Sequence, residues 1–181
     1  MQRAIYMDWN ATAPVHPAAR AAMLAALEDC GNPSSVHGFG RRARKRIEDA
    51  RSALAALVGA KVENIVFTAG GTEANALMLA NRGARRLIVS AIEHDSILKP
   101  AQDAATIRVD RNGVVDLDHL KALLASDARP ALVSLMLANN ETGVIQPVAQ
   151  AAEIAGAHGA LLHVDAAQAI GRIPVTLDVL G

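Results

Sequence analysis

From residue 64 onward, short apolar runs alternate with longer stretches whose apolar positions recur at helical spacing. The runs are Ile65-Val66-Phe67, Leu87-Ile88-Val89, Ile107-Arg108-Val109, Leu132 to Leu137 and Leu161 to Val164. They are nearly continuous in apolar character, as expected of strands covered on both faces. The stretches between them read as helices at Glu73 to Arg82, Ser96 to Ala104, Leu117 to Ala125 and Val148 to His158. This alternation predicts an α/β architecture, three αβα layers with a mostly parallel sheet in the middle. Before residue 64 the pattern is helical only. Pro17 to Leu27 opens on proline, Phe39 to Val58 is closed by Gly59, and the loop Gly31-Asn32-Pro33-Ser34-Ser35 separates the two. Arg111-Asn112-Gly113 reads as a turn. The expected organisation is an N-terminal arm over 1–15, a helical segment over 16–63 and the α/β region over 64–181. Because the alternation stops at Leu180-Gly181 with no closing strand, the sheet is expected to be incomplete at its C-terminal side.

Composition narrows the function classes. Lys and Arg total 18 against 18 Asp and Glu, which excludes a generally basic nucleic-acid binder. Only Tyr6, Trp9, Phe39 and Phe67 are aromatic, too few for a platform that stacks single-stranded bases. The core must therefore be aliphatic and alanine-rich. No run approaches the roughly 20 apolar residues of a membrane helix, and no charged leader precedes an apolar signal segment. With Cys30 as its lone cysteine the chain can form no internal disulfide, which points to a reducing, cytoplasmic setting. Cys30 itself, at the end of a helix, reads as an ordinary thiol. The basic run from Arg41 to Arg46 precedes Glu48 and Asp49 and reads as a solvated helix face. His16, His37, His119, His158 and His163 have no metal-site spacing, so no metal is expected.

Candidate chemistry gathers where strands end. Thr68-Ala69-Gly70-Gly71-Thr72-Glu73 follows one apolar run and opens a helix, so its free amides and the Thr72 hydroxyl could cradle a phosphate. The plainer reading is a loop with a capping threonine. It is neither the G-x-G-x-x-G fingerprint nor a P-loop. His94 follows the next run and should emerge at the same edge, where open α/β sheets bind ligands, although a loop histidine often only caps or faces solvent. Asn139-Asn140-Glu141-Thr142-Gly143 follows the run ending at Leu137 and is also good turn chemistry. Asp165 ends the last run, and an acid at the tip of a buried strand needs a partner, either a cationic ring nitrogen or a structural arginine such as Arg172. An anion cradle, an imidazole, an amide and a carboxylate on one edge suit a flat, phosphorylated, nitrogen-containing cofactor. Pyridoxal 5'-phosphate meets each demand.

Six segments in order carry a resemblance: Tyr6 to Pro14, Gly31 to His37, Thr68 to Asn75, Glu93-His94, Asn139 to Gly143 and His163 to Gln168. The chain resembles the N-terminal half of a NifS/IscS-type cysteine desulfurase, a class V aminotransferase family enzyme built on the large domain of the pyridoxal-phosphate-dependent fold type I. The resemblance implies that Gly71 and Thr72 hold the cofactor phosphate, His94 stacks on the pyridine ring and takes part in proton transfer, and Asp165 pairs with the ring nitrogen. It places Asn140 and Gln168 beside the phenolic oxygen. It further implies a homodimer that converts L-cysteine to L-alanine and passes the sulfur, as an enzyme persulfide, to an acceptor such as an iron–sulfur scaffold or a thiolation carrier. The family's cofactor-bonded lysine and its nucleophilic cysteine match no position here, so this chain alone is expected to be inactive. The alternatives are a non-catalytic half that binds a complementary chain, and another class V enzyme such as a selenocysteine lyase.

Overall fold

The computed structural model describes residues 4–177. Two compact units divide the chain, one running to Ile65 and the other starting at Val66.

The first unit is built on α1 (Pro17–Leu27) and α2 (Gly38–Val58), followed by a single 3₁₀ turn at Val62–Asn64. Both helices start on a histidine. His16 and His37 each occupy the N-cap, and their Nδ1 atoms accept from the amides of Ala18 and Gly40. That satisfies donors the helix leaves open in its first turn. The loop from Asn32 to Ser35 then packs tightly over the start of α2. A Cβ on Gly40 would lie 2.7 Å from the Asn32 carbonyl oxygen and closer still to that of Ser35, so only glycine fits. Arg46 ties α2 back to α1 through Asp29 and the Ala25 carbonyl. Lys45 pairs with Asp49, and Arg42 lies over the Phe39 ring, so the basic run is a solvated helix face with local partners.

The second unit is the α/β region. After α3 (Gly71–Ala80) come β1 (Arg86–Ser90), α4 (Asp95–Leu98), β2 (Ala105–Ile107), α5 (Leu117–Ala125), β3 (Ala131–Met136), α6 (Val148–Ala157) and β4 (Leu161–Asp165). The four strands form one parallel sheet in the order β2-β1-β3-β4. One face carries Ile88, Ile107, Val133 and Leu135 against Leu120 and Leu124 of α5 and Val148, Ala151 and Ala155 of α6. The other carries Leu87, Val89 and Leu132 against α4 and α3, through Ile97, Leu98, Met78 and Leu79. The three-layer αβα reading therefore holds. Arg86 adds a device with no sequence signal: its Nη2 lies within 3.1 Å of the carbonyls of Leu123, Leu124 and Asp127, supplying donors to the open C-terminal end of α5.

The departures from the sequence reading have local causes. Residues 65–67, expected as a strand, have no place in the register of the sheet, and a strand is defined by that pairing rather than by its own apolarity. The strand expected at Ile107 to Val109 sits two residues earlier, because Ile88, Val89 and Ser90 pair with Ala105, Thr106 and Ile107. The helix expected from Ser96 to Ala104 ends at Leu98; Lys99 keeps helical backbone, but Pro100 has no N–H to continue the ladder. The helix expected from Glu73 begins two residues sooner, at Gly71.

Leu135 is fully buried between β3 and its covering helices. Leu135→Ala should lower unfolding free energy by about 3 kcal/mol, read from the denaturation midpoint, because the rigid sheet on either side cannot collapse into the cavity. Gly40→Ala should speed amide exchange over residues 35–41, where the added Cβ forces the loop off α2.

Candidate functional site

The strand order reverses between β1 and β3: from β1 the chain moves outward to β2, then returns to the other side for β3 and β4. At such a switch point the loops leaving neighbouring strands diverge and open a crevice at the carboxyl ends. A cavity of about 180 Å³ lies there, lined by Gly71, Thr72, Asn75, His94, Ser96, Met136, Ala138, Asn140, Asp165, Ala167 and Gln168. All six residues expected from the sequence as cofactor-binding line it: Gly71, Thr72, His94, Asn140, Asp165 and Gln168.

Each arrives by a different element. Gly71 and Thr72 form the first turn of α3, whose N-cap is Gly70 and which has no side-chain cap. Thr72 is thus inside the helix and is not its capping residue. An added Cβ on Gly70 or Gly71 would meet no atom within 4 Å, and Gly70 has extended backbone, so nothing in the chain itself demands glycine there. What the two glycines do is leave the space before the α3 amides empty, where the helix field and unsatisfied N–H groups favour an anion.

His94 follows β1 and is both capping residue and cavity wall. Its Nδ1 accepts from the Ser96 amide at 3.1 Å and lies 2.8 Å from the Ser96 hydroxyl. Asn139 and Asn140 follow β3 and divide their labour. Asn139 is buried; its Oδ1 accepts from the amides of Glu141 and Thr142, and its Nδ2 donates to the Ile92 carbonyl, tying the loop after β3 to the loop after β1. Gly143 closes that turn at φ 73°, a left-handed conformation suited to glycine. Asn140 is left to face the cavity, with its Nδ2 on the Glu141 carboxylate.

Asp165 ends β4, paired across the ladder with Met136. Its Oδ1 accepts from the Ala167 amide at 3.0 Å and its Oδ2 from the Asn75 side chain at 2.9 Å. Asn75 sits one turn into α3, is almost fully buried, and places its Nδ2 also 2.9 Å from the Ser96 hydroxyl. A chain of contacts thus runs from His94 through Ser96 and Asn75 to Asp165. Sequence reasoning missed Asn75 and Ser96 as site residues. Asn75 stands three residues beyond Thr72, on the face of α3 that the glycine loop turns toward the sheet, and that spacing was the available signal.

Beneath the cavity lies a second polar group. Glu93 is 5% exposed and accepts from the Ser90 hydroxyl at 2.6 Å, the Met136 amide at 2.7 Å and the Ser134 hydroxyl at 3.3 Å. Burial pushes its carboxyl above the ordinary range against the pull of the Ser90 and Met136 hydrogen bonds, and the charge of Asp165 adds to the rise. His163, two residues before Asp165 on the same face of β4, lies 3.0 Å from the Ser134 hydroxyl, and burial lowers its pKa. Of the lysines in the second unit, Lys99 and Lys121 do not line the cavity and are paired to Asp95 and Asp118. Among the described residues, no cluster of three or more His, Cys, Asp or Glu could hold a metal ion, and no helix is long and apolar enough to cross a membrane.

Comparison with known proteins places this geometry. The aminotransferase class-V family model matches residues 5–181. The cysteine desulfurase IscS of Dictyoglomus turgidum is 41% identical over 196 residues, covering all of this chain and 49% of that protein. A cysteine desulfurase of Cereibacter sphaeroides is 42% identical, covering 96% of this chain and 48% of its own length. The chain thus spans about half the length of the curated relatives it matches. Among solved structures, a NifS-like protein from Rickettsia africae superposes with a TM-score of 0.92 at 38% identity, over 98% of this chain and 51% of that one. SspA, solved in complex with cysteine, gives a TM-score of 0.86 at 26% identity, over 97% of this chain and 54% of its own. The family is in general dependent on pyridoxal 5'-phosphate. With its parallel sheet, its cavity at the switch point and relatives of one kind along its whole length, the chain belongs to the class V aminotransferase family, in its IscS/NifS cysteine desulfurase branch.

Proposed function

We propose that these residues form the N-terminal half of the cofactor-binding framework of a cysteine desulfurase, and that the cavity between α3, β1, β3 and β4 is its pyridoxal 5'-phosphate site. The observation that carries this reading is the convergence, around one cavity, of an uncapped helix N-terminus with empty space before it, an imidazole, an amide and a carboxylate. Those donors and acceptors match a phosphate, a ring face, a phenolic oxygen and a ring nitrogen in turn. Gly71 and Thr72 would hold the phosphate, His94 would lie on the ring, Asn140 and Gln168 would face the phenolic oxygen and Asp165 the ring nitrogen. When bound, the cofactor supplies a cationic aromatic ring that draws electrons from a substrate amino acid.

The chain's own side chains do the rest. Asp165 is held at both oxygens, by Asn75 and the Ala167 amide, so it would meet a ring N–H in a fixed orientation and with little reorganisation. His94 has its Nδ1 turned to Ser96, which leaves Nε2 as the atom able to carry or release a proton at the cavity. As a whole enzyme, a homodimer, the protein would convert L-cysteine to L-alanine and deliver sulfur to an acceptor protein, an iron–sulfur scaffold or a thiolation carrier.

Titrating this chain with pyridoxal 5'-phosphate, followed by calorimetry, should show saturable binding, and Asp165→Ala should weaken it roughly tenfold or more, the scale of one charge-assisted hydrogen bond. Equal affinity for wild type and variant would remove Asp165 from the ring nitrogen. Because no lysine lines the cavity among the described residues, residues 1–181 supplied with cofactor and cysteine should release no alanine above the rate of free cofactor. Alanine formation at enzyme-like rates, measured by chromatography, would contradict the assignment.

A further inference from the structure

Among the described residues, Glu93 is the carboxylate most deeply buried at the switch point, and no proposed step uses it. Its position has a backbone cause. β1 pairs with β3 as far as Val89 and Ser134, after which the chain turns away to deliver His94. On that side the next inward amide of β3, that of Met136, would lose its partner, and Glu93 Oε1 accepts from it instead. The carboxylate thus continues the ladder in place of the departed strand.

The second oxygen leads elsewhere. Oε2 faces the Ser134 hydroxyl, which lies 3.0 Å from His163 Nδ1, and the register pairs Ser134 with His163 and Met136 with Asp165. A serine hydroxyl has one proton to give. With Glu93 ionised, that proton goes to Oε2, and the Ser134 oxygen must accept, so His163 has to donate from Nδ1. Burial depresses the basicity of His163 and so favours a neutral ring that carries a single proton, while the charge of Asp165 opposes this. We propose that Glu93 is a positioning residue for the cofactor site: through Ser134 it fixes His163 in the Nδ1–H tautomer, locking the row of side chains directly beneath Asp165.

The charged and titratable groups close to Glu93 are Asp165, which acts on it through charge, and His163, reached through Ser134. Neither donates to Glu93 directly, so its three hydrogen bonds come from Ser90, Ser134 and the Met136 amide. Glu93→Gln is then a sharp probe. The Met136 amide can only donate, so the glutamine oxygen must keep the Oε1 place and its NH₂ group must take the Oε2 place. That group donates to Ser134, whose hydroxyl turns to His163 Nδ1, and the imidazole proton moves to Nε2. The side-chain volume hardly changes while the direction of the relay reverses.

The inference rests on the proposed cofactor site for its purpose, and its first test does not need the cofactor. Long-range proton–nitrogen NMR of the ¹⁵N-histidine-labelled chain at neutral pH reads which nitrogen of His163 bears the proton. Wild type should show Nδ1–H and Glu93→Gln should show Nε2–H. Wild type already in the Nε2–H form, or a variant unchanged from wild type, would overturn the relay. If Glu93→Gln fails to fold, Ser134→Ala takes its place: loss of the Nδ1–H preference supports the relay through Ser134, and an unchanged tautomer overturns it. The second test is pyridoxal 5'-phosphate affinity: Glu93→Gln should bind several-fold more weakly than wild type, and equal affinity would overturn the positioning role. Absence of binding by wild type would instead strike the cofactor assignment, leaving the tautomer result to judge the relay.

Discussion

Parallel pairing of β1 with β3 is the constraint on which the site depends. These two strands are neighbours in space but not in sequence, and their loops leave in opposite directions. The loop after β1 carries Glu93 and His94, and the loop after β3 carries Asn139 and Asn140. A crevice between two diverging loops is unavoidable in this topology. It would be a weak point of the sheet, because β3 runs beyond the end of β1 with amide groups that need partners. Glu93 meets that need from below, and Asn139 ties the two loops together from above through the Ile92 carbonyl.

The same geometry explains how polar groups can sit on a sheet whose flanks are aliphatic. On the face beneath α3 and α4, successive ladder rows read Leu87-Leu132-Leu161, then Val89-Ser134-His163, and finally Met136-Asp165. Polarity rises toward the carboxyl end, row by row. Each polar member has a hydrogen-bond partner, which is what burial requires: Ser134 lies between Glu93 and His163, and Asp165 accepts from Asn75 and Ala167. The opposite face is aliphatic, with Ile88, Val133 and Leu135 packed against α5 and α6, and the polar groups gather at the carboxyl edge where α3 and α4 begin.

Histidine serves here largely as a helix-starting residue. His16, His37 and His94 each cap a helix through Nδ1. His94 does this while also lining the cavity, with Nδ1 engaged by Ser96. A capping histidine can also be a cavity wall, and at this position one residue is both. Asn139 and Asn140 show the complementary arrangement, in which one residue of a pair builds the turn and the other is left for the site.

Much of this was legible in the chain order alone. Continuous apolar runs marked the central strands β1 and β3, the spacing between runs marked the helical layers, and the polar residues after the runs put His94, Asn140 and Asp165 on one edge, while the resemblance singled out Gly71, Thr72 and Gln168. The runs and the polar residues that follow them are local properties, fixed by periodicity and residue type. Tertiary structure alone decided the remainder. Residues 65–67 look like a strand but take no part in the four-stranded ladder, since strand pairing depends on a neighbour that local apolarity cannot supply. Asp165 accepts from Asn75, 90 residues earlier, and Glu93 became a ladder-capping acid only because β3 outruns β1. Such contacts come from register and strand order, and a hydrogen bond between distant positions leaves no periodic trace in a sequence.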